Sequence, residues 1–148
     1  IAVINMLGTV YSEPLGNPFS EIDKALSEID GCKTVVVDFH AEATGEKRAL
    51  GFYLDGRVSA VFGTHTHVQT ADECILENGT GYITDLGMTG PKDSVLGVNK
   101  TVIINRFVSG TQHKFEIATG KGQFCGCIFT VNDTDGKCTD IERLYIEE

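Results

Sequence analysis

Three short, almost wholly apolar runs, spaced a helix's length apart, constrain the fold more than any other feature of the sequence. They span residues 1–6, 34–39 and 58–62. Runs of this kind are typical of strands that are covered on both faces, as in a parallel sheet. With a helical segment between neighbouring runs, the order becomes strand, helix, strand, helix, strand. That order predicts an α/β fold with parallel strands.

Both intervening segments carry helix signals. After a loop around Pro14, Asn17 and Pro18 mark a helix start, because Asn is a favoured cap and Pro suits the first turn. The apolar residues of this helix recur at spacings of four and three, at Ile22, Leu26 and Ile29. We expect the helix to end near Gly31 and a second helix to cover about residues 46–54.

The second half of the chain has a different character. Residues 74–76 and 81–84 flank an Asn-Gly pair and predict a hairpin. Residues 100–108 have helical spacing, and the tail from about 113 to 145 alternates around the turn signal at 133–136. We therefore expect an antiparallel C-terminal portion. With neither an internal repeat nor a low-complexity linker, residues 1–148 are expected to form a single domain.

The composition narrows the class of protein. Of the 148 residues, 41% are hydrophobic and 22% are charged, as in a folded globular chain rather than a disordered one. The net charge of −9 argues against non-specific nucleic-acid binding, which needs clustered Lys and Arg. Because every apolar run is shorter than the roughly 18–20 residues that cross a bilayer, we expect no membrane association.

Five cysteines are scattered along the chain without a C-x-x-C pair, so neither a redox motif nor a zinc ribbon is indicated. They are Cys32, Cys74, Cys125, Cys127 and Cys138. Free thiols suit a reducing cytoplasm, where we expect this protein. Cys125 and Cys127 would share one face of a strand. Such pairs are more often small buried hydrophobes than a thiolate metal pair, which is the alternative.

Three of the four histidines stand at the ends of predicted strands. His40 follows the second apolar run, and His65 and His67 follow the third. In an open parallel sheet, ligands bind outside the carboxyl ends of the strands, so both groups should reach the functional edge. In an extended segment, side chains two residues apart project the same way. Asp38 and Asp72 are candidates to accept the other ring N–H of these histidines.

The ordinary explanation of a loop histidine is a polar surface residue, and His113 in the tail is expected to be one. A pair spaced H-x-H is more suggestive, because neutral imidazoles bind Zn, Fe and Mn. A third histidine at the end of a neighbouring strand strengthens the pattern. The sequence therefore predicts His40, His65 and His67 as metal ligands.

Three longer motifs carry a family resemblance. They are residues 38–44 (DFHAEAT), 63–72 (GTHTHVQTAD) and 82–91 (YITDLGMTGP). In this order they resemble the YmdB-type branch of the calcineurin-like metallophosphoesterases, over essentially the whole chain. The resemblance implies part of a four-layer α/β sandwich of the metallophosphoesterase type, which holds two divalent metal ions.

The resemblance also implies roles for the histidines. His40 and His65 would bind one metal, and His67 would bind the other. Fe or Mn are the expected ions, with Zn as a further candidate, because histidine combined with oxygen ligands suits all three. The implied reaction is hydrolysis of phosphodiesters, including 2′,3′-cyclic nucleotides. Two adjacent ions suit that chemistry, since they clamp the phosphate and activate water.

The family's first half supplies an early Asp, a Gly-Glu-Asn segment and a Gly-Asn-His segment, and these are missing from this sequence. We therefore expect the chain to be the C-terminal part of a longer enzyme, an expectation that its start within an apolar strand also favours. It would hold no catalytic residue of its own and would be inactive without an N-terminal segment or a companion chain. The alternative is a non-catalytic module that binds metal or forms a homo-oligomer.

Overall fold

The structure is a computed structural model that describes residues 1–13 and 16–148. Eight strands and three helices are assigned in this part of the chain. In the loop expected around Pro14 and Gly16, residues 14 and 15 lie outside the described residues. The strands form one sheet of five and one of three.

The five-stranded sheet contains the three apolar runs of the sequence. Its strands are β1 (Ala2–Leu7), β2 (Val35–His40), β3 (Ala60–Thr64), β4 (Cys74–Ile75) and β5 (Gly81–Ile83). They lie in the order β1-β2-β3-β5-β4, and each pair is parallel except for β4 with β5. The predicted parallel α/β sheet and the predicted hairpin are both confirmed.

The helices lie close to their predicted positions. They are α1 (Pro18–Glu28), α2 (Thr44–Tyr53) and α3 (Lys100–Ser109). Asn17 caps α1 as expected, since its side chain accepts a hydrogen bond from the backbone N–H of Phe19 at 3.0 Å. The helix ends at Glu28, before Gly31, because Ile29 is already extended. The last helix ends at Ser109 and is capped by Gly110, whose φ of 66° is in the left-handed region that favours glycine.

The core lies where α1 and α2 pack against the parallel sheet. Its fully buried members include Ile22 of α1, Leu50 of α2, and Val37 and Phe39 of β2. The inward-facing residues of β2 alternate with less buried ones. This packing fixes β2 and β3, whose carboxyl ends carry the histidines.

The predicted antiparallel tail is confirmed as the second sheet. Its strands are β6 (Gly90–Pro91), β7 (Gly122–Val131) and β8 (Cys138–Glu147), in that order and all antiparallel. The first residues of the predicted tail, from 113 to 121, precede the long strands. The side-chain amide of Gln69 joins the loop after β3 to the second sheet, since it donates to the carbonyl oxygens of Gly126 at 3.1 Å and Leu144 at 3.0 Å.

A close backbone approach next to β3 requires a glycine. A methyl group built on Gly63 would lie 1.8 Å from the carbonyl oxygen of Thr84 and 2.9 Å from Cδ of Lys47. Two heavy atoms that are not covalently bonded do not come within 1.8 Å of each other. Any side chain at position 63 must therefore displace the backbone that follows β5. Because Gly63 has no side chain, the segment after β5 can pack against the end of β3.

Gly63→Ala should lower the unfolding free energy by about 3 kcal/mol or more, because the obstacle is backbone rather than a flexible side chain. Gly45→Ala is the matched control, since a methyl group there meets nothing within 4 Å. Its stability should stay the same or rise, as Ala is the better helix former. Urea denaturation of the three proteins gives the comparison. Equal stability of Gly63→Ala and wild type would contradict the close approach.

Candidate metal site at the strand ends

The parallel pairing of β2 with β3 brings the histidines to one edge of the sheet. His40 is the last residue of β2, rather than the residue after it, and is paired in register with Thr64, the last residue of β3. His65 and His67 follow directly. The expectation that both groups reach the carboxyl edge is confirmed.

His40 and His65 are in direct contact. The Nε2 atom of His40 lies 3.1 Å from Nδ1 of His65. Their rings meet edge to face, with centroids 4.8 Å apart and an interplanar angle of 78°. Both side chains are open to solvent on their outer side. One ring nitrogen from the end of β2 and one from the residue after β3 therefore point at the same small volume.

Hydrogen bonds fix which nitrogen of His40 carries the proton. The Thr64 hydroxyl lies 2.8 Å from an Asp38 carboxylate oxygen and 3.0 Å from Nδ1 of His40. An ionised carboxylate only accepts hydrogen bonds, so the hydroxyl donates to Asp38 and accepts from His40. Nδ1 of His40 is then protonated, and its Nε2 carries a free lone pair. Asp38, proposed as a direct acceptor for a histidine, acts through Thr64.

Glu42 fixes His65 in the complementary form. One of its carboxylate oxygens lies 2.9 Å from Nε2 of His65, which must donate. The lone pair of His65 therefore sits on Nδ1, the atom that faces His40. With both rings neutral, two nitrogen lone pairs would therefore face each other 3.1 Å apart. Such an arrangement is repulsive unless a cation or a shared proton occupies the gap.

The separation of the two nitrogens suits a single metal ion. Imidazole nitrogens that bind one ion at about 2.1 Å, at angles from octahedral to tetrahedral, lie about 3.0–3.4 Å apart. Each histidine also bonds its other ring nitrogen to a carboxylate or a hydroxyl, as metal-binding histidines usually do. Within residues 1–13 and 16–148, however, no three His, Cys, Asp or Glu side chains are grouped to hold an ion. The residues present fit a metal but supply only part of its ligands.

His67 stands apart from the other two histidines. Its Nδ1 lies 3.3 Å from the carbonyl oxygen of Leu96, so this nitrogen donates and Nε2 is left free. The prediction that the H-x-H segment is extended is wrong. His65 has a φ of 106° and His67 a φ of 64°, so the chain turns at each histidine. The two imidazoles consequently have different surroundings.

A buried carboxylate holds the turning segment. Asp85 is 1% exposed and accepts hydrogen bonds from Lys47 at 2.7 Å, from the N–H of Thr66 at 3.1 Å and from the N–H of Gly87 at 2.9 Å. Burial alone would raise the pKa of Asp85. The bonds from Lys47, Gly87 and Thr66 outweigh burial, so this pKa lies below its ordinary value.

Asp72 lies beside β5. Its carboxylate accepts from the backbone N–H of Thr84 at 3.1 Å and from the Thr84 hydroxyl at 2.5 Å. Burial raises the pKa of Asp72, but these hydrogen bonds lower it by more, so the net shift of the pKa is downward. Its hydrogen bonds join the loop after the histidines to the end of β5, so Asp72 bonds Thr84 rather than the histidine that the sequence predicted as its partner.

Sequence reasoning gave no role to Glu42, Thr64, Lys47 or Asp85. A signal existed for Lys47, since it precedes Leu50 by three residues and Leu54 by seven, the spacing of one helix face. A lysine on an apolar face points to a buried partner. Glu42 and Thr64 stand within the quoted motifs, but their contacts depend on the tertiary structure.

The remaining candidates are separate from this cluster. Cys125 and Cys127 both lie in β7, and all five cysteines are free thiols. Burial and the nearby carboxylate of Glu73 raise the pKa of Cys127 to about 11, which disfavours a metal-binding thiolate. His113 is exposed and contacts the hydroxyls of Thr111 and Ser109.

A family model described as YmdB-like protein matches residues 1–144. The chain belongs to the YmdB-like family. A 2′,3′-cyclic-nucleotide 2′-phosphodiesterase of Bacillus subtilis is 48% identical over 149 residues, an alignment that covers 100% of this chain and 56% of that protein. This YmdB-like chain spans about half the length of the curated relatives it matches.

Solved structures agree with the family assignment. A protein from Thermus thermophilus, titled hypothetical, has a TM-score of 0.93 at 40% identity, over 99% of this chain and 57% of its own. A phosphatase from Mycoplasma pneumoniae has a TM-score of 0.89 at 39% identity, over 98% of this chain and 53% of its own. The fold class expected from the sequence, an α/β portion of the metallophosphoesterase type, is confirmed. Within the described residues, none of the helices has the length and apolar character to cross a membrane.

The hydrogen-bond network predicts the tautomer of His40 in the metal-free protein. When its ring is neutral, His40 should be in the Nδ1–H form rather than the Nε2–H form, because the Thr64 hydroxyl accepts from that nitrogen. Long-range ¹H–¹⁵N NMR distinguishes the two. Thr64→Val should release His40 from the Nδ1–H form, whereas Thr64→Ser keeps the hydroxyl and should not. A wild-type His40 in the Nε2–H form would contradict the network.

Asp85→Asn should lower the unfolding free energy by about 3–5 kcal/mol at pH 7, because it leaves Lys47 buried without its counter-charge. The pKa of Asp85 in the folded protein lies below its ordinary value of 3.8. Its stabilising effect is therefore complete above about pH 5 and is lost as the pH falls through the folded-state pKa. Urea denaturation at pH 7 and pH 3 should show the two proteins converging in acid. A constant difference would count against an ionised Asp85.

Proposed function

We propose that this chain supplies the histidine part of a metal-dependent phosphodiesterase site. The observation that carries the proposal is the pair of facing ring nitrogens, Nε2 of His40 and Nδ1 of His65, which lie 3.1 Å apart. Relatives of similar sequence are named a cyclic-nucleotide phosphodiesterase and a phosphatase, which supports phosphoester chemistry.

The three histidines would divide between two divalent ions. His40 and His65 would hold one ion, and the free Nε2 of His67 would serve the other. Fe and Mn are the favoured ions and Zn is a further candidate. When bound, such ions activate water and neutralise phosphate charge. Thr64 and Glu42 would keep the two facing nitrogens unprotonated and so available as donors.

A phosphodiester is the substrate class that fits this chain, and 2′,3′-cyclic nucleotides are the specific candidates. The chain carries a net charge of −9, so the attraction for a phosphate would come from the ions rather than from the protein surface. The same charge supports the proposal that non-specific nucleic-acid binding is absent. The five free thiols suit a cytoplasmic location.

Further ligands and the group that acts on the substrate would come from outside this chain. An N-terminal segment or a companion chain would supply them, and the 148 residues by themselves would be inactive. A second candidate function is a non-catalytic module that binds metal or forms a homo-oligomer. The exposed apolar side chains near α3 favour it, since Phe107 and Val108 are 80% and 82% exposed.

Replacing the histidines tests the metal assignment. His65→Ala and His67→Ala should each reduce the metal content of the dialysed protein, measured by inductively coupled plasma mass spectrometry. The fold should change little, because these loop side chains are exposed. His113→Ala is the matched control and should keep the wild-type metal content. Full metal content in His65→Ala or His67→Ala would refute that ligand.

Activity assays complete the same experiment. The chain alone should hydrolyse bis-para-nitrophenyl phosphate negligibly with added Mn²⁺, because its ligand set is incomplete. Adding the N-terminal part of a relative should restore turnover, and His65→Ala should abolish it. Substantial turnover by the chain alone that depended on His65 would show that the ligand set is already sufficient.

A further inference from the structure

The ion pair between Lys47 and Asp85 is the most deeply buried charged contact among the described residues. Both side chains are 1% exposed, and Nζ of Lys47 lies 2.7 Å from the carboxylate. Removing two charges from water is expensive, and well-packed apolar residues of similar size often stabilise a protein equally well. Stability alone therefore does not explain why this pair occupies the core.

The carboxylate of Asp85 is also the junction of two loop segments. One oxygen accepts from Lys47 and from the N–H of Thr66, and the other accepts from the N–H of Gly87. The backbone of Asp85 is tied to Thr70, whose hydroxyl accepts from its N–H at 2.9 Å and whose own N–H donates to its carbonyl oxygen at 3.1 Å. The carboxylate of Asp85 thus binds the start of the segment from Thr66 to Thr70, and the backbone of Asp85 binds its end.

Two backbone positions that are poorly suited to their residues flank the amide of Thr66. His65 and His67, on either side of it, both have positive φ. For non-glycine residues such conformations cost about 1–3 kcal/mol each and persist only where the surroundings over-determine them. The hydrogen bond from the N–H of Thr66 to Asp85 is the restraint placed between them.

We infer that Lys47 and Asp85 are positioning residues that hold the strained His65–Thr66–His67 turn so that Nδ1 of His65 faces Nε2 of His40. This inference rests on the proposed metal site for its purpose. Lys47 keeps the buried carboxylate ionised and in place, and the carboxylate fixes the amide between the two histidines. Because both side chains are 1% exposed, neither would contact the metal or the substrate.

Two variants separate positioning from simple stabilisation. Asp85→Asn leaves the charge of Lys47 unpaired, and should lower both the urea midpoint and the affinity for Zn²⁺ measured by titration calorimetry. The double variant Lys47→Met with Asp85→Asn contains no unpaired buried charge, so its urea midpoint should recover. Its Zn²⁺ affinity should remain lower than that of wild type by about 10-fold or more, because the Asn oxygen replaces only one of two acceptors.

Asp23→Asn is the matched control, since it removes an exposed carboxylate from a pair with Arg57. Its Zn²⁺ affinity should equal that of wild type. If the double variant regained stability and affinity together, the pair would be merely structural and the inference would be overturned.

Hydrogen exchange supplies a readout that needs no metal. The amide of Thr66 should exchange faster in both Asp85 variants, while the amide of Phe39 in the core should keep its protection in the double variant. An unchanged Thr66 amide would overturn the inference. If wild type bound no Zn²⁺ even with the N-terminal part of a relative added, the proposed function would fail, and the exchange data would still decide the positioning role.

Discussion

The parallel pairing of β2 with β3 is the contact on which the site depends. It sets His40 opposite Thr64, and that register allows one hydroxyl to join a carboxylate on β2 to an imidazole on the same strand. A shift of one residue would turn the side chains of one strand to the other face of the sheet. The apolar contacts of β2 with the helices hold the register, so the core controls the chemistry at the sheet edge.

A second layer of control comes from the segment after β5. Gly63 lets this segment approach β3, and Asp85 then reaches the loop that carries His65 and His67. The resulting cluster combines exposed imidazoles with a buried polar support. Rigid support beneath solvent-accessible groups is the arrangement that preorganised binding sites require.

Much of this architecture was predictable from the sequence, because strands covered on both faces leave continuous apolar runs. The positions of β1, β2 and β3 and the arrival of the histidines at one edge follow from those runs. The turn at His65 and His67 was not predictable, since their positive φ values depend on Asp85, which lies 19 residues beyond Thr66. Lysine is usually found at the protein surface, and only the spacing of Lys47 with Leu50 and Leu54 indicates that it is buried. The metal ligation itself stays a prediction.

The two facing nitrogens belong to residues 25 positions apart in the chain. In the unfolded polypeptide they have no reason to meet, so an ion that binds between them binds only the folded form. Such an ion is linked to folding by mass action, and at about 100 times its dissociation constant it adds about 2.7 kcal/mol to stability. The thermal stability of this protein would then report the free metal concentration around it, and removal of the ion would weaken the same strand pairing that builds the site.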